Sequence, residues 1–112
     1  VSWGSPKGAI LESIEQLKAE GHNMGYIQIR MLLPFPATEI KQFLTGKKRI
    51  VDIEDNHEAQ LGGVIAEQTG IKPTHYILKY TGRPMMTTEV YQALKSVITD
   101  QAPKRQVLML GA

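Results

Sequence analysis

The stretch from Arg49 to Gly63 does most to constrain this chain. Arg49-Ile50-Val51-Asp52-Ile53 is a short run with β-branched residues, the pattern of a buried strand. Glu54-Asp55-Asn56 then turns acidic and polar, and Leu61, Val64 and Ile65 follow at helical spacing. A strand, a polar turn and a helix in that order make half of a parallel β-α-β unit. Its turn lies at the carboxyl edge of the sheet, where such proteins usually place ligands and partners.

The same order recurs along the chain. Val1-Ser2-Trp3 reads as the end of a strand, and Ser5-Pro6 as the start of a helix. That helix carries Ile10, Leu11, Ile14 and Leu17 as its apolar stripe and ends at Gly21. A second strand begins at Tyr26, and Leu33-Pro34-Phe35-Pro36 stops it because each proline removes a ladder donor. A short helix with Ile40, Phe43 and Leu44 ends at Gly46, and the helix after the third strand closes at Gly70. The fourth strand ends in the turn Thr81-Gly82-Arg83-Pro84. Thr87 is expected to cap the last helix, with Glu89 near its positive end and Val90, Leu94, Val97 and Ile98 as its apolar side. Parallel strands are therefore expected near residues 1–4, 26–32, 48–53 and 74–80. The alternation predicts an α/β fold of three layers, α/β/α, with a mostly parallel sheet and right-handed crossovers.

A chain of 112 residues has room for one domain with a real core. We divide it into a domain over 1–99 and a tail over 100–112, whose Val107-Leu108-Met109-Leu110 run has no clear period. Such a tail packs back on its own domain or on some other part of a longer chain. The opening Val1-Ser2-Trp3-Gly4 looks like the inside of a strand, so the chain reads as a fragment of a longer protein. A net charge of +2 with scattered basic residues gives no nucleic-acid footprint, and Lys47-Lys48-Arg49 reads as a solvated turn. No stretch is apolar for the ~20 residues of a membrane span, and no signal peptide is visible. The expected location is cytoplasmic, with no membrane and no nucleic-acid partner. With no cysteine, the chain supplies no thiolate to zinc or an iron–sulfur cluster, and its three histidines are too scattered for a metal site.

The four strand-to-helix turns share one edge and hold most of the unusual residues. Glu54, Asp55 and Glu58 are candidates to pair with Arg83 across it, against the alternative of an ordinary surface salt bridge. As an acid–base pair Glu54 and Asp55 are weak, since neighbours on a strand end point apart. His57 is a candidate base, but a lone loop histidine is more often solvated. Trp3 is expected in the core. Gly62-Gly63 inside a helix costs roughly 1 kcal/mol per glycine relative to alanine, which suggests that another backbone comes close, from the sheet or from another subunit. Gly4-Ser5-Pro6-Lys7-Gly8 lacks the spacing of a phosphate-binding loop. Glu54, Asn56, Gln60, Gly62, Gly63 and Arg83 are thus the candidate interface residues, and no catalytic, cofactor-binding or metal residue is assigned.

Several groups of residues, taken in order, resemble a known family. They are Trp3-Gly4-Ser5 with Lys7-Gly8-Ala9-Ile10, and Gln28-Ile29-Arg30 with Leu33-Pro34-Phe35-Pro36. Glu54-Asp55-Asn56 with Gln60-Leu61 follows, then Lys79-Tyr80-Thr81-Gly82-Arg83-Pro84 with Thr87 and Glu89. Together, over about residues 1–99, they look like domain II of the pyruvate:ferredoxin oxidoreductase family, the C-terminal domain of the α subunit of 2-oxoacid:ferredoxin oxidoreductases. Asp52 and Asp55 are not what that pattern leads one to expect. The resemblance implies a transketolase C-terminal-domain-like fold, with strand order second, first, third, fourth. It also implies a parent enzyme that oxidatively decarboxylates a 2-oxoacid to an acyl-CoA and reduces ferredoxin. Thiamine diphosphate, magnesium and an iron–sulfur cluster are implied in that enzyme, with none bound by this chain, which alone is expected to be inactive. The implied partners are the β subunit, the other domains of the α subunit, ferredoxin and coenzyme A. Two alternatives stand beside it: the C-terminal domain of another thiamine enzyme, of transketolase or dehydrogenase E1 β type, and a stand-alone small-ligand-binding α/β module.

Overall fold

Seven elements follow one another in the computed structural model, which describes residues 1–3, 6–29, 35–56 and 58–109. They are α1 (Lys7–Ala19), α2 (Ala37–Leu44), β1 (Val51–Glu54), α3 (Gln60–Thr69), β2 (His75–Leu78), α4 (Thr87–Ile98) and β3 (Arg105–Val107). The expected serine cap at Ser5, the end of the second strand at 30–32, the turn at Leu33-Pro34 and His57 lie outside the described residues.

β1 and β2 pair in parallel, with Val51 opposite His75 and Glu54 opposite Leu78. β2 pairs in parallel with β3, Tyr76 lying opposite Arg105. On the other side of β1, Ser2 makes parallel bridges to both Ile53 and Gln28. The four expected strand segments therefore stand in the order second, first, third, fourth. The first two are single bridges among the described residues, and the ladder proper is shorter than the apolar runs suggested.

Helices cover both faces. On one, Ile10, Ile14 and Leu17 of α1 pack with Val90, Ala93 and Leu94 of α4 against Ile53 and Ile77. On the other, Ile40 and Leu44 of α2 pack with Leu61 and Ile65 of α3, joined by Ile29, Ile50 and the half-buried Trp3. Buried Ser13 ties the α1–α4 layer together, donating to the carbonyls of Ala9 at 2.8 Å and Thr87 at 3.1 Å. Thr87 does not cap α4: the N-cap is Met86, and the Thr87 hydroxyl donates to Glu12.

Of the two alternatives for the tail, packing back on its own domain holds: β3 adds a strand beside β2, where none was expected, and buries Leu108 in the first cluster. Of the tail's apolar run only Val107 lies in the strand, after the polar Arg105 and Gln106. The crossovers, in turn, do not share one hand. The crossings β1–α3–β2 and β2–α4–β3 step the same way across the sheet, yet α3 and α4 lie on opposite faces. Only one of them can be right-handed. The α1 crossing steps the other way on the face of α4, which gives it the hand of α3 and leaves the α4 crossing the odd one. The docking of α4 on α1 fixes its face, and the short edge strand is reached by the 99–104 connection.

Candidate functional site at the carboxyl edge

Side chains alternate along β1, so Ile53 faces α1 and α4 while Asp52 and Glu54 point together toward α3. Both carboxyl groups are buried at 0% exposure, a position that costs several kcal/mol for an ion without partners. Glu54 has partners. Its Oε1 accepts from the Leu61 amide and from Asn56 Nδ2, both at 2.9 Å, and its Oε2 accepts from the Gly62 amide at 3.1 Å. Asn56 Oδ1 in turn accepts from the amides of Glu58 at 3.1 Å and Gln60 at 3.3 Å. The amides that a helix start leaves unpaired are thus taken up by side chains of its own preceding strand and turn. A carboxylate at the positive end of α3 is also favoured by the helix dipole. These bonds hold Ala59, just before the helix, in the left-handed region at φ 53°.

Asp52 is different. Neither of its oxygens has a hydrogen-bond partner at normal geometry, although the Gly62 amide lies near enough to favour the ionised form. Burial first, and then the neighbouring Glu54, push its pKa up to about 9 against the pull of the Val1 amine and the Gly62 amide, so Asp52 keeps its proton at neutral pH. For Glu54 burial acts upward, but the bonds from Asp52, Leu61, Asn56 and Gly62 outweigh it and lower the pKa. Gly62 is required by this arrangement. A Cβ there would stand 2.5 Å from Asp52 Oδ2 and 2.9 Å from Tyr76 Cε1. The close approach expected at Gly62 therefore comes from side chains of the sheet, not from a backbone. Gly63 is exposed and its Cβ direction is open.

The neighbouring turn is held by a second buried group. Lys79 continues β2, and its Nζ donates to Glu89 Oε2 at 2.5 Å and to the Pro84 carbonyl at 3.0 Å. Glu89 Oε2 also accepts from the Met86 amide at 2.9 Å, closing the start of α4. The Lys79 amide donates to the Glu54 carbonyl at 3.0 Å, joining the two turns. Tyr80, Arg83 and Met86 are exposed on the outside of this turn.

The structure brings Glu54, Asn56, Gln60 and Gly62 together, with Gly63 on the outer side of the same helix. Arg83 sits on the neighbouring turn and pairs with none of Glu54, Asp55 and Glu58. Glu54 is turned inward by its amide partners, so its carboxylate is not presented to Arg83. Sequence reasoning missed Asp52 and Lys79. The signal was the two-residue step that sets Asp52 beside Glu54 and Ile77 in line with Lys79. Of the basic cluster, Arg49 pairs with Asp100 at 2.8 Å and Lys47 lies over the Phe43 ring. A groove of about 630 Å³ opens at the opposite, amino edge, lined in part by Tyr26, Phe43, Ile50 and Val97. Among the described residues no group of three or more metal-ligating side chains gathers, and no helix is long and apolar enough to cross a membrane.

Comparison with known proteins matches residues 1–90 to the pyruvate:ferredoxin oxidoreductase core domain II. The chain is 49% identical over 111 residues to the 2-oxoacid:ferredoxin oxidoreductase subunit alpha of Saccharolobus solfataricus, covering 99% of this chain and 17% of that relative. It is 38% identical over 112 residues to the 2-oxoacid:ferredoxin oxidoreductase 2, subunit alpha, of Aeropyrum pernix, covering 100% of this chain and 17% of that relative. It is 28% identical over 91 residues to the pyruvate synthase subunit PorA of Thermotoga maritima, covering 81% of this chain and 22% of that relative. The chain thus spans 17% of the length of its more similar relatives. With 1–90 of its residues matched by the family model, the chain belongs to the pyruvate:ferredoxin oxidoreductase core domain II family.

Proposed function

We propose that this chain is the structural and assembly domain of the α subunit of a 2-oxoacid:ferredoxin oxidoreductase. The complete enzyme would oxidatively decarboxylate a 2-oxoacid to an acyl-CoA and pass the electrons to ferredoxin. The names of the relatives support the enzyme class. One observation carries the domain's own part: the helix start at the carboxyl edge, which in α/β enzymes often takes an anion, is filled by Glu54. A turn so closed serves to position neighbouring chain, not to hold a diphosphate.

In this reading Glu54, Asn56, Gln60 and Gly62 shape the edge from within. Gly63 and Arg83 face the other domains of the α subunit or the β subunit. Residues 1–99 form the family domain, and the tail adds a strand to it. Thiamine diphosphate, magnesium and an iron–sulfur cluster belong to other parts of the enzyme. The donor set here does not fit them: there is no cysteine, and the α3 amides are already engaged. Ferredoxin and coenzyme A are partners of the complete enzyme, working in the cytoplasm. The test is expression of the complete α subunit with its β subunit, and assay of ferredoxin reduction with a panel of 2-oxoacids in the presence of coenzyme A. Reduction dependent on a 2-oxoacid is expected; an assembled, cofactor-loaded complex inert toward every 2-oxoacid would overturn the proposal.

A further inference from the structure

Gly63 has no reason inside this chain to be a glycine. A glycine in a helix is less stable than alanine, and at Gly62 the cost is explained by Asp52 and Tyr76. At Gly63 nothing lies within 4 Å of where a Cβ would stand, and the residue is exposed. It lines a hollow of about 340 Å³ together with Glu58, Ala59, Tyr76, Lys104 and Arg105. The hollow marks the place where the α2–α3 layer ends. The Tyr76 ring stands beside Gly62, and Arg105 lies opposite Tyr76 in the ladder, so both are on the α3 side of the sheet. Val107, two residues on, is on that side too. Arg105 and Val107 are exposed there, whereas on the other side Gln106 donates to the Ala93 carbonyl of α4 and Leu108 is buried in the first cluster. One side of β3 is packed and the other is bare.

We infer that a segment of the same α subunit lies in this hollow, with its backbone against Gly63 and a carboxylate on Lys104. This rests on the reading of the chain as one domain of that subunit. The walls Glu58, Lys104 and Arg105 are themselves exposed, too open a setting to enclose a free small molecule. A hollow of this size also offers far less surface than the roughly 1,200 Å² at which a separate protein is held stably. A segment of the same chain needs much less, because its tether keeps it at high local concentration. The chain spans 17% of its more similar relatives, which leaves ample polypeptide to supply such a segment. Charge sets its chemistry. Glu58 and Arg105 are engaged within the chain, while Lys104 makes no ion pair among the described residues, so a positive charge remains to be met.

Photo-crosslinking in the assembled enzyme tests this. Lys104, at the rim, is replaced by p-benzoylphenylalanine, and the irradiated enzyme is analysed by gel and peptide mass spectrometry. The expected product is a crosslink inside one α subunit, to a segment beyond these 112 residues. A crosslink to the β subunit, or none, would overturn the inference. Gly63→Cys supplies a second measurement. A maleimide should modify it about tenfold or more slowly in the native enzyme than in urea, because labelling waits for the segment to lift away. Equal rates would overturn the inference as well. Lys104→Glu added to Gly63→Cys should speed the labelling, and an unchanged rate would rule out the carboxylate. If Gly63→Cys prevents assembly, the crosslink decides by itself. Neither readout uses turnover. An active enzyme with an open hollow would refute this inference alone, and a crosslinked enzyme inert toward every 2-oxoacid would refute only the enzymatic reading.

Discussion

The ammonium of Lys79 lies 2.5 Å from a carboxylate oxygen of Glu89, and the two side chains are 0% and 7% exposed. A pair so buried is weak evidence of net stability, because desolvation offsets much of the attraction. Removing one partner is another matter, since the remaining charge is stranded. Lys79→Met should destabilise the chain by about 3–5 kcal/mol. Lys79→Met combined with Glu89→Leu should recover a large part of that loss. Urea denaturation of the single and double variants measures the coupling. Losses that simply add would show that the two groups do not depend on each other.

Gly62 and Gly63 stand side by side in α3 and should respond to alanine with opposite signs. At Gly62 the new methyl meets Asp52 Oδ2 at 2.5 Å and Tyr76 Cε1 at 2.9 Å. Overpacking of that kind costs about 1–3 kcal/mol. At Gly63 no atom lies within 4 Å and the backbone is already helical, so alanine should add about 0.5–1 kcal/mol. Denaturation midpoints of the two variants check this. If Gly63 also faces another domain, Gly63→Ala should stabilise the chain while weakening assembly of the complete enzyme.

The carboxyl pair gives the stability a pH dependence with two limbs. The folded-state pKa of Glu54 is lowered from 4.5, so its contribution is complete above that value and is lost as pH falls through the folded pKa. The folded-state pKa of Asp52 is raised from 3.8 to about 9. The native chain then binds its proton more tightly than the unfolded chain does. That contribution is complete below about pH 3.8 and is lost as pH rises toward about 9. Denaturation at a series of pH values should show stability declining from weakly acid to alkaline conditions, and Asp52→Asn should flatten that decline. An unchanged slope in the variant would assign the decline to other groups.

How much of this was legible in the residues can be traced position by position. The periodicity of Ile10, Ile14 and Leu17, and of Val90, Leu94 and Val97, placed α1 and α4 because their stripes are what the core buries. Glu54 and Asn56 were legible as a site because polar residues after a buried strand mark the carboxyl edge. What could not be read was which way each side chain turned. Arg83 looked like a partner for Glu54, yet Glu54 is satisfied by amides whose positions depend on how α3 docks. Asp52 stood out only as a departure from the family pattern, and its meaning comes from Gly62, ten residues on and brought close only by the fold. β3 escaped because three paired residues leave too short a pattern to recognise.

Arg83 is exposed and pairs with no described carboxylate, so its loss should hardly touch the fold. Arg83→Ala should change the chain's stability by no more than about 0.5 kcal/mol. In the assembled enzyme, truncating one partner of a buried interfacial charge pair costs about 2–5 kcal/mol. Subunit association measured by sedimentation, together with turnover, separates the two effects. A large loss of stability in the chain with intact assembly would make Arg83 structural and move the interface elsewhere.

The tail offers the last test, because β3 covers an edge that would otherwise be open. Its chain accepts the Tyr76 amide at the Lys104 carbonyl, 2.7 Å away, and returns the Leu108 amide to the Leu78 carbonyl at 2.8 Å. Leu108 is 9% exposed and lies in the same cluster as Ile77 and Leu94. Ending the chain at residue 103 would remove that side chain, whose burial contributes about 1.5–3 kcal/mol, and strip the hydrogen bonds from one side of β2. It would also expose a strand whose Ile77 and Leu78 are fully buried, the kind of edge that recruits other chains. β3 is a gentler edge, since it is three residues long, begins with the exposed Arg105 and follows Lys104. The shortened chain should therefore be less stable and should associate as its concentration rises. Leu108→Ala should lose stability yet stay monomeric, since the β2–β3 ladder survives. Denaturation and light scattering of the two variants decide the matter. A shortened chain that stays monomeric at full stability would mean that β3 protects nothing.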